Sequence, residues 1–230
     1  MKEVENKISQ FFPGAAPYGA VIEDYCRQLV NKHGMVLDKT IAAVSLCPDE
    51  LNNPVINKVS ELFGPCFHLG GLAGYPFTGV TGFNAFGGHI PDNGSAFIFF
   101  GPHVGIDDQS LGYVQRSGQQ KKTLSCGAAI GAYQYLQQEK QKKINSFEND
   151  FQMGQLVQMI NPHHEFFDKQ YFEPNLVDIL LQKSYSFVVN ESKRIKDLFN
   201  VNSISLLGAI VINTPREMPD YLQVKYFESI

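Results

Sequence analysis

Tryptophan is absent from this 230-residue chain, and arginine occurs only at Arg27, Arg116, Arg194 and Arg216. No apolar run approaches the ~20 residues that a membrane-spanning helix needs, which excludes a membrane partner of that kind. The 19 basic and 23 acidic side chains leave a formal charge of −4, so the wholesale basic surface of a nucleic-acid binder is missing. Charged residues make up 18% and hydrophobic ones 43%, a balance that builds a core and excludes a disordered chain. The opening MKEVENKISQ lacks both the apolar stretch of a secretion signal and the arginines of a transit peptide. A soluble, cytoplasmic protein is the expectation.

Cysteine is scarce as well. Cys26, Cys47, Cys66 and Cys126 form no Cys-x-x-Cys pair and could not staple a fold of this size. Scattered thiols in a reducing compartment are most often small buried apolar residues, and Cys26 fits the apolar pattern of its segment. Several motifs are missing. The glycines form neither a GxxxxGK[ST] phosphate cradle nor a clean GxGxxG, and no GxSxG nucleophile elbow occurs. Asp107-Asp108 lacks the oxygen spacing of a calcium loop. No repeat of 20–50 residues is present, and no low-complexity linker divides the chain. The length then favours one domain over residues 1–230.

What is present is an alternation of helices with short apolar strands. Ala20–Lys32 reads as an amphipathic helix facing inward with Val21, Tyr25, Leu29 and Val30. TIAAVSLC, Thr40–Cys47, reads as a buried strand. Asp49 is placed as an N-cap for a helix that runs to Leu62 and closes at Gly64. SAFIFF, Ser95–Phe100, is a second buried strand, stopped by Gly101-Pro102 just before His103. From about Ser125 a helix former-rich stretch carries its lysines at its C-terminal end, as the macrodipole prefers. Glu173–Phe199 is mostly helical, SLLGAIVIN (Ser205–Asn213) is a third strand, and Tyr221–Phe227 alternates like an edge strand. Strands apolar on both faces and interleaved with helices predict an α/β fold with a sheet covered on both sides. Fifteen of the 20 glycines fall between Gly64 and Gly131, so sharp turns concentrate in the middle third.

Ligand sites in such folds gather at the carboxyl ends of strands. Cys47 and His103 are both placed there, and Cys126 opens a helix whose N-terminus favours a thiolate. Two sulfurs and an imidazole are a zinc donor set that leaves a fourth position open for chemistry. The intervals of 56 and 23 residues form no known spacing, so spacing alone favours buried packing over a metal site. Asp49 adds a carboxylate beside the trio, and Arg116 is the one arginine between the candidate ligands. An Asp49–Arg116 pair would orient that carboxylate and balance its charge; alternatively Asp49 could itself occupy the fourth position on a zinc ion and close the site. Cys66 and His68 are alternative ligands without the strand-end placement. His89 is either a proton carrier, imidazole being the side chain that changes charge near neutral pH, or part of the turn before Pro91. His163-His164 reads as an exposed helix start.

Several segments together resemble a known family. SLCPDE, LGGLAGYPFTGVTGFNAF, HIPDNG, GPHVGID and SCGAAIGAY, with PYGAVIEDY before them, resemble the limiting-CO2-inducible protein B/C family, the theta-class carbonic anhydrases. A more distant likeness to beta-class carbonic anhydrases lies in Cys47-Pro48-Asp49 and in GPH (101–103) with CG (126–127), whose second element is opened by an insertion. That mapping favours His103 over His89 as a ligand. The resemblance implies a beta-carbonic-anhydrase-like α/β fold with mostly parallel core strands. It also implies zinc held by Cys47, His103 and Cys126, a homodimer, and interconversion of CO2 and bicarbonate through a zinc-bound hydroxide; Asp49 and Arg116, paired from the residues themselves, are the candidates for the catalytic pair. The chain departs from the beta-class Cys-x-Asp-x-Arg at Leu51, so the arginine has to come from elsewhere. Phe83, Phe86 and Tyr75 are candidates to line a CO2 pocket, or plain core. A family member that keeps the metal but serves as a regulatory or partner-binding protein is the alternative, and a cysteine hydrolase using Cys47 is a third reading.

Overall fold

The computed structural model describes residues 1–138, 149–167 and 170–230. Along the chain come α1 (Lys2–Phe11), β1 (Ala16–Pro17), α2 (Tyr18–His33), β2 (Thr40–Ser45), α3 (Asn53–Phe63), β3 (Phe67–His68), α4 (Gly79–Gly87), β4 (Ser95–Phe100) and β5 (His103–Gly105). There follow β6 (Tyr113–Val114), β7 (Thr123–Leu124), α5 (Gly127–Gln138), α6 (Phe151–Ile160), α7 (Glu173–Phe199), β8 (Ser203–Asn213) and β9 (Tyr221–Ser229). The main sheet has the order β1-β9-β8-β4-β2-β3, with β5 also on β8. Strands β2, β3, β4, β5 and β8 are parallel, whereas β9 is antiparallel to β8 and β1 to β9.

Alternate side chains of the central strands divide between two cores, because successive residues of a strand point to opposite faces. Ala43, Ala96, Ile98, Phe100, Ile204, Leu206, Ile210 and Ile212 pack on one face with Phe83 and Phe86 of α4 and Val177, Leu181, Val188 and Ile195 of α7. Ala42, Val44, Phe97, Phe99, Leu207, Ala209 and Val211 pack on the other, against Ile22 and Leu29 of α2 and Val55 and Val59 of α3. Full burial of one such side chain contributes roughly 1.5–3 kcal/mol, so the wholly buried β4 ties both helical layers to the sheet. This is the α/β architecture expected, with a largely parallel sheet between helices.

Some boundaries differ from expectation. The inward stripe of α2 is Ile22, Cys26 and Leu29, with Val30 38% exposed, because 100° per residue carries Val30 past the stripe that Leu29 closes. Strand β2 stops at Ser45, so Cys47 lies two residues beyond it. Asp49 caps a single 3-10 turn, Glu50–Asn52, before α3 begins, and Gly64 then ends α3 at φ 82°. His103 does not end β4. It opens β5, a second short strand laid on the upper half of β8 after Gly101-Pro102 interrupts the first. The helix expected from Ser125 is α5, and its lysine-rich end at 139–143 lies outside the described residues. Strand β9 is an edge only in part, since β1 pairs its Tyr221 and Leu222. No helix among the described residues is long and apolar enough to cross a membrane.

Candidate metal centre

Three neighbouring parallel strands, β8, β4 and β2, point their carboxyl ends to one rim of the sheet. Beyond β2 the chain delivers Cys47, beyond β4 it delivers His103, and β8 ends on Asn213. Cys126 arrives from outside the sheet, directly before α5. A small ladder sets its place: the Gly105 amide donates to the Ser125 carbonyl, the Gly112 amide to the Gly105 carbonyl and the Ser125 amide to the Gly112 carbonyl. Gly105 has to be glycine for this approach, because a Cβ there would stand 2.8 Å from the Tyr113 carbonyl and 3.0 Å from the Ser125 Cβ. The Cys47 carbonyl accepts from Asn52 Nδ2 at 3.0 Å.

The ligand atoms of Cys47, His103 and Cys126 lie within 4.8 Å of one another, and all three residues are buried. Cys47 Sγ and Cys126 Sγ are 3.8 Å apart. Two Zn–S bonds of ~2.3 Å at the tetrahedral angle separate their sulfurs by ~3.8 Å, so the spacing fits that metal. His103 Nε2 is buried and has no hydrogen-bond partner among the described residues. A bare imidazole nitrogen beside two sulfurs is a costly arrangement unless a cation occupies the space between them. The thiols point the same way. The Cys47 thiol hydrogen-bonded to Cys126 favours the Cys126 thiolate; burial opposes it, and the Ala129 and Ala128 amides at the start of α5 support it. The hydrogen bond to Cys126 and burial together push the Cys47 thiol far up. One thiolate is thus favoured and the second disfavoured, a pair that a bound dication would complete. The residues fit a Cys2His metal site.

Asp49 and Arg116 stand beside this trio. Asp49 Oδ1 accepts from the Leu51 amide at 3.2 Å, while Oδ2 accepts from Arg116 Nη2 at 2.5 Å and lies 3.9 Å from His103 Nε2. Arg116 comes from the turn between β6 and β7, far from Asp49 in sequence. Its Nε donates to Glu50 Oε1 at 2.8 Å, and its Nη1 to Thr123 Oγ1 at 2.6 Å and the Leu124 carbonyl at 3.2 Å. Four acceptors shared among three nitrogens are what a guanidinium, with five donors, can satisfy and an ammonium, with three, cannot. Arg116 also lines a cavity of about 410 Å³ with Tyr18, Glu50, Thr214, Arg216 and Asp220. On the inner side, Ala73, Ala129 and Ile130 share an apolar cluster with Cys47 and Cys126.

The other candidates fall away from this cluster. Cys26 is buried in α2, and the Cys66 thiol lies 3.3 Å from Ser60 Oγ. His89 packs its ring edge against Phe67 at 5.8 Å while its amide donates to the Phe86 carbonyl, which is the turn reading. Phe83 and Phe86 are core beneath the sheet, in a different cluster from the two cysteines. Tyr75 is half-buried against Phe77 and Phe187. His164 opens the short turn His164–Phe166, with its Nδ1 2.6 Å from the Asn161 carbonyl. Motif spacing gives no sign of Asn213, whose Oδ1 lies 2.8 Å from His103 Nδ1, or of Asp220 behind it. The one available signal is that Asn213 is the polar residue closing the apolar run from Leu206 to Ile212 of β8.

A family model described as limiting CO2-inducible proteins B/C beta carbonic anhydrases matches residues 20–230. The chain belongs to this family. Among solved structures, a point mutant of PtLCIB4, a homolog of the limiting CO2-inducible protein LCIB, superposes with a TM-score of 0.87 at 30% identity. That match covers 99% of this chain and 94% of the other. PtLCIB4 itself gives 0.84 at 32% identity over 96% and 93% of the two chains. LCIB gives 0.71 at 16% over 97% and 93%, a likeness of fold. No curated protein matches this family member significantly.

Proposed function

We propose that the protein is a zinc-dependent carbonic anhydrase that interconverts CO2 and bicarbonate. The observation carrying this reading is the convergence of Cys47, His103 and Cys126 on one point, with Asp49 Oδ2 3.9 Å from His103 Nε2. Zinc bound by these residues would supply hydroxide at neutral pH by acidifying water. Asp49 is placed to accept the hydrogen of an O–H group held at this point and would so aim that oxygen at the CO2 carbon, water and CO2 giving bicarbonate and one proton released to solvent. Arg116 keeps the Asp49 carboxylate aimed. Both Asp49 oxygens already have partners, which supports this acceptor role over service as a fourth ligand. Ala73, Ala129 and Ile130 give the small apolar substrate an apolar wall and keep competing water out. Hydrolysis through Cys47 would need a ready thiolate there, which its hydrogen bond to Cys126 and its burial oppose.

Stopped-flow CO2 hydration on zinc-loaded protein tests the proposal, with Cys126→Ala as the control. The expected outcome is turnover in the parent and its loss, with the zinc, in the variant. Stoichiometric zinc without turnover above background in the parent would sink the enzyme reading and leave a non-catalytic metal-binding protein.

A further inference from the structure

We infer that Asn213 is a positioning residue that fixes which nitrogen of His103 carries the proton, and that Asp220 in turn fixes Asn213. The assignment comes from counting donors and acceptors around one buried amide. Asn213 Nδ2 faces two acceptors, Asp220 Oδ2 at 3.2 Å and the Leu51 carbonyl at 3.3 Å. Asn213 Oδ1 faces His103 Nδ1 at 2.8 Å and accepts from Ser125 Oγ at 3.1 Å, so the same hydroxyl, 3.2 Å from Nδ1, has given its one proton to the amide and can only accept from the ring. Rotating the amide by half a turn would set its oxygen against both acceptors, so one orientation is allowed. Asp220 is itself pinned, since its Oδ1 accepts from the Thr214 amide at 2.9 Å. With an oxygen facing Nδ1, the neutral imidazole carries its proton there, and Nε2 presents a lone pair toward the two sulfurs.

Neither residue touches the proposed metal position. They act through the ring: Asn213 fixes its rotation and tautomer, and Asp220 keeps the amide from flipping. Partners of this kind typically change metal affinity by 10–100-fold when removed. The consequence for affinity rests on the metal reading of the trio, whereas the tautomer rests on hydrogen bonding alone.

Two measurements separate these. Nitrogen-15 NMR of the zinc-free protein, with the His103 ring neutral, should show a protonated Nδ1 and a bare Nε2, and Asn213→Ala should give a mixture of tautomers. A parent ring protonated at Nε2 would overturn the inference without any variant. Competition with a chromogenic chelator should show zinc held roughly 10–100-fold more weakly by Asn213→Ala. Asp220→Asn should weaken it in the same direction, because one amide oxygen cannot serve both the Thr214 amide and Asn213 Nδ2. Affinity unchanged in Asn213→Ala would overturn the inference. A parent that binds no zinc would instead sink the metal reading, and the NMR result would still decide the tautomer. If Asn213→Ala does not fold, Asp220→Asn and the parent spectrum carry the test.

Discussion

Asp49 divides its carboxylate between two tasks, with Oδ1 capping the turn that leads into α3 and Oδ2 paired to Arg116. Asp49→Asn separates them. The amide oxygen can still cap the Leu51 amide, but its nitrogen then faces the guanidinium, donor against donor, and the pair opens. Turnover should fall by about 10²–10⁴-fold, the usual range for losing a positioned proton acceptor, while zinc content stays at the parent's level. Stopped-flow rates alongside elemental analysis check this, and a variant as fast as the parent would remove Asp49 from the mechanism. The pair also marks how far sequence reaches at this scale. Cys47, His103 and Cys126 stand out because their donor chemistry sits at strand or helix ends. Arg116 is identifiable only by elimination among four arginines. Asn213 is invisible, because an asparagine at a strand end carries no chemical label until its neighbours are placed.

At the scale of elements, α7 begins on a buried carboxyl. Glu173 is 8% exposed and its Oε2 has no partner among the described residues. Burial raises its pKa, opposed by its own backbone amide. A carboxyl whose folded pKa lies above its unfolded value stabilises most fully below the unfolded pKa, and that contribution is lost as pH rises through the folded one. Glu173→Gln removes the charge that would otherwise be forced into this site. The variant should gain on the parent as pH climbs above the ordinary carboxylate range, reaching about 1–2 kcal/mol, or roughly 2–8 °C in melting midpoint for a chain of this size. Melting curves from pH 5 to 8 test it, and a difference that does not change with pH would contradict it. The element α7 was itself readable, as were β4 and β8, because full burial leaves long apolar or regularly spaced signals. Helix α4 was not: GVTGFNAFG carries three glycines that disfavour a helix, and it forms because Phe83 and Phe86 bury completely while Gly87 lets Phe199 and Ile195 approach. Helix α1 buries only Val4 and Ile8 in a polar stretch, too thin a stripe to detect. The two-residue strands β6 and β7 are shorter than any period, which is why the turn carrying Arg116 had no sequence signature.

For the molecule as a whole, the two cores on either face of the sheet are complete without the metal. Zinc should therefore stabilise the protein without being required for it to fold. With free zinc at a hundredfold excess over its Kd, linkage supplies about 2.7 kcal/mol, and chelation should lower the melting midpoint by roughly 5–11 °C. The far-ultraviolet circular dichroism at 25 °C should not change. Collapse of that spectrum on chelation would show that the centre is part of the framework. The reason to expect independence is the placement of Cys47 and His103 beyond the ends of strands whose own side chains are already packed. The frame is finished before the chemistry begins. On that reading, deleting one donor should remove the metal and leave the structure standing, so the architecture would outlive any activity it supports. Two chains that share every strand and helix can then differ in whether they turn anything over.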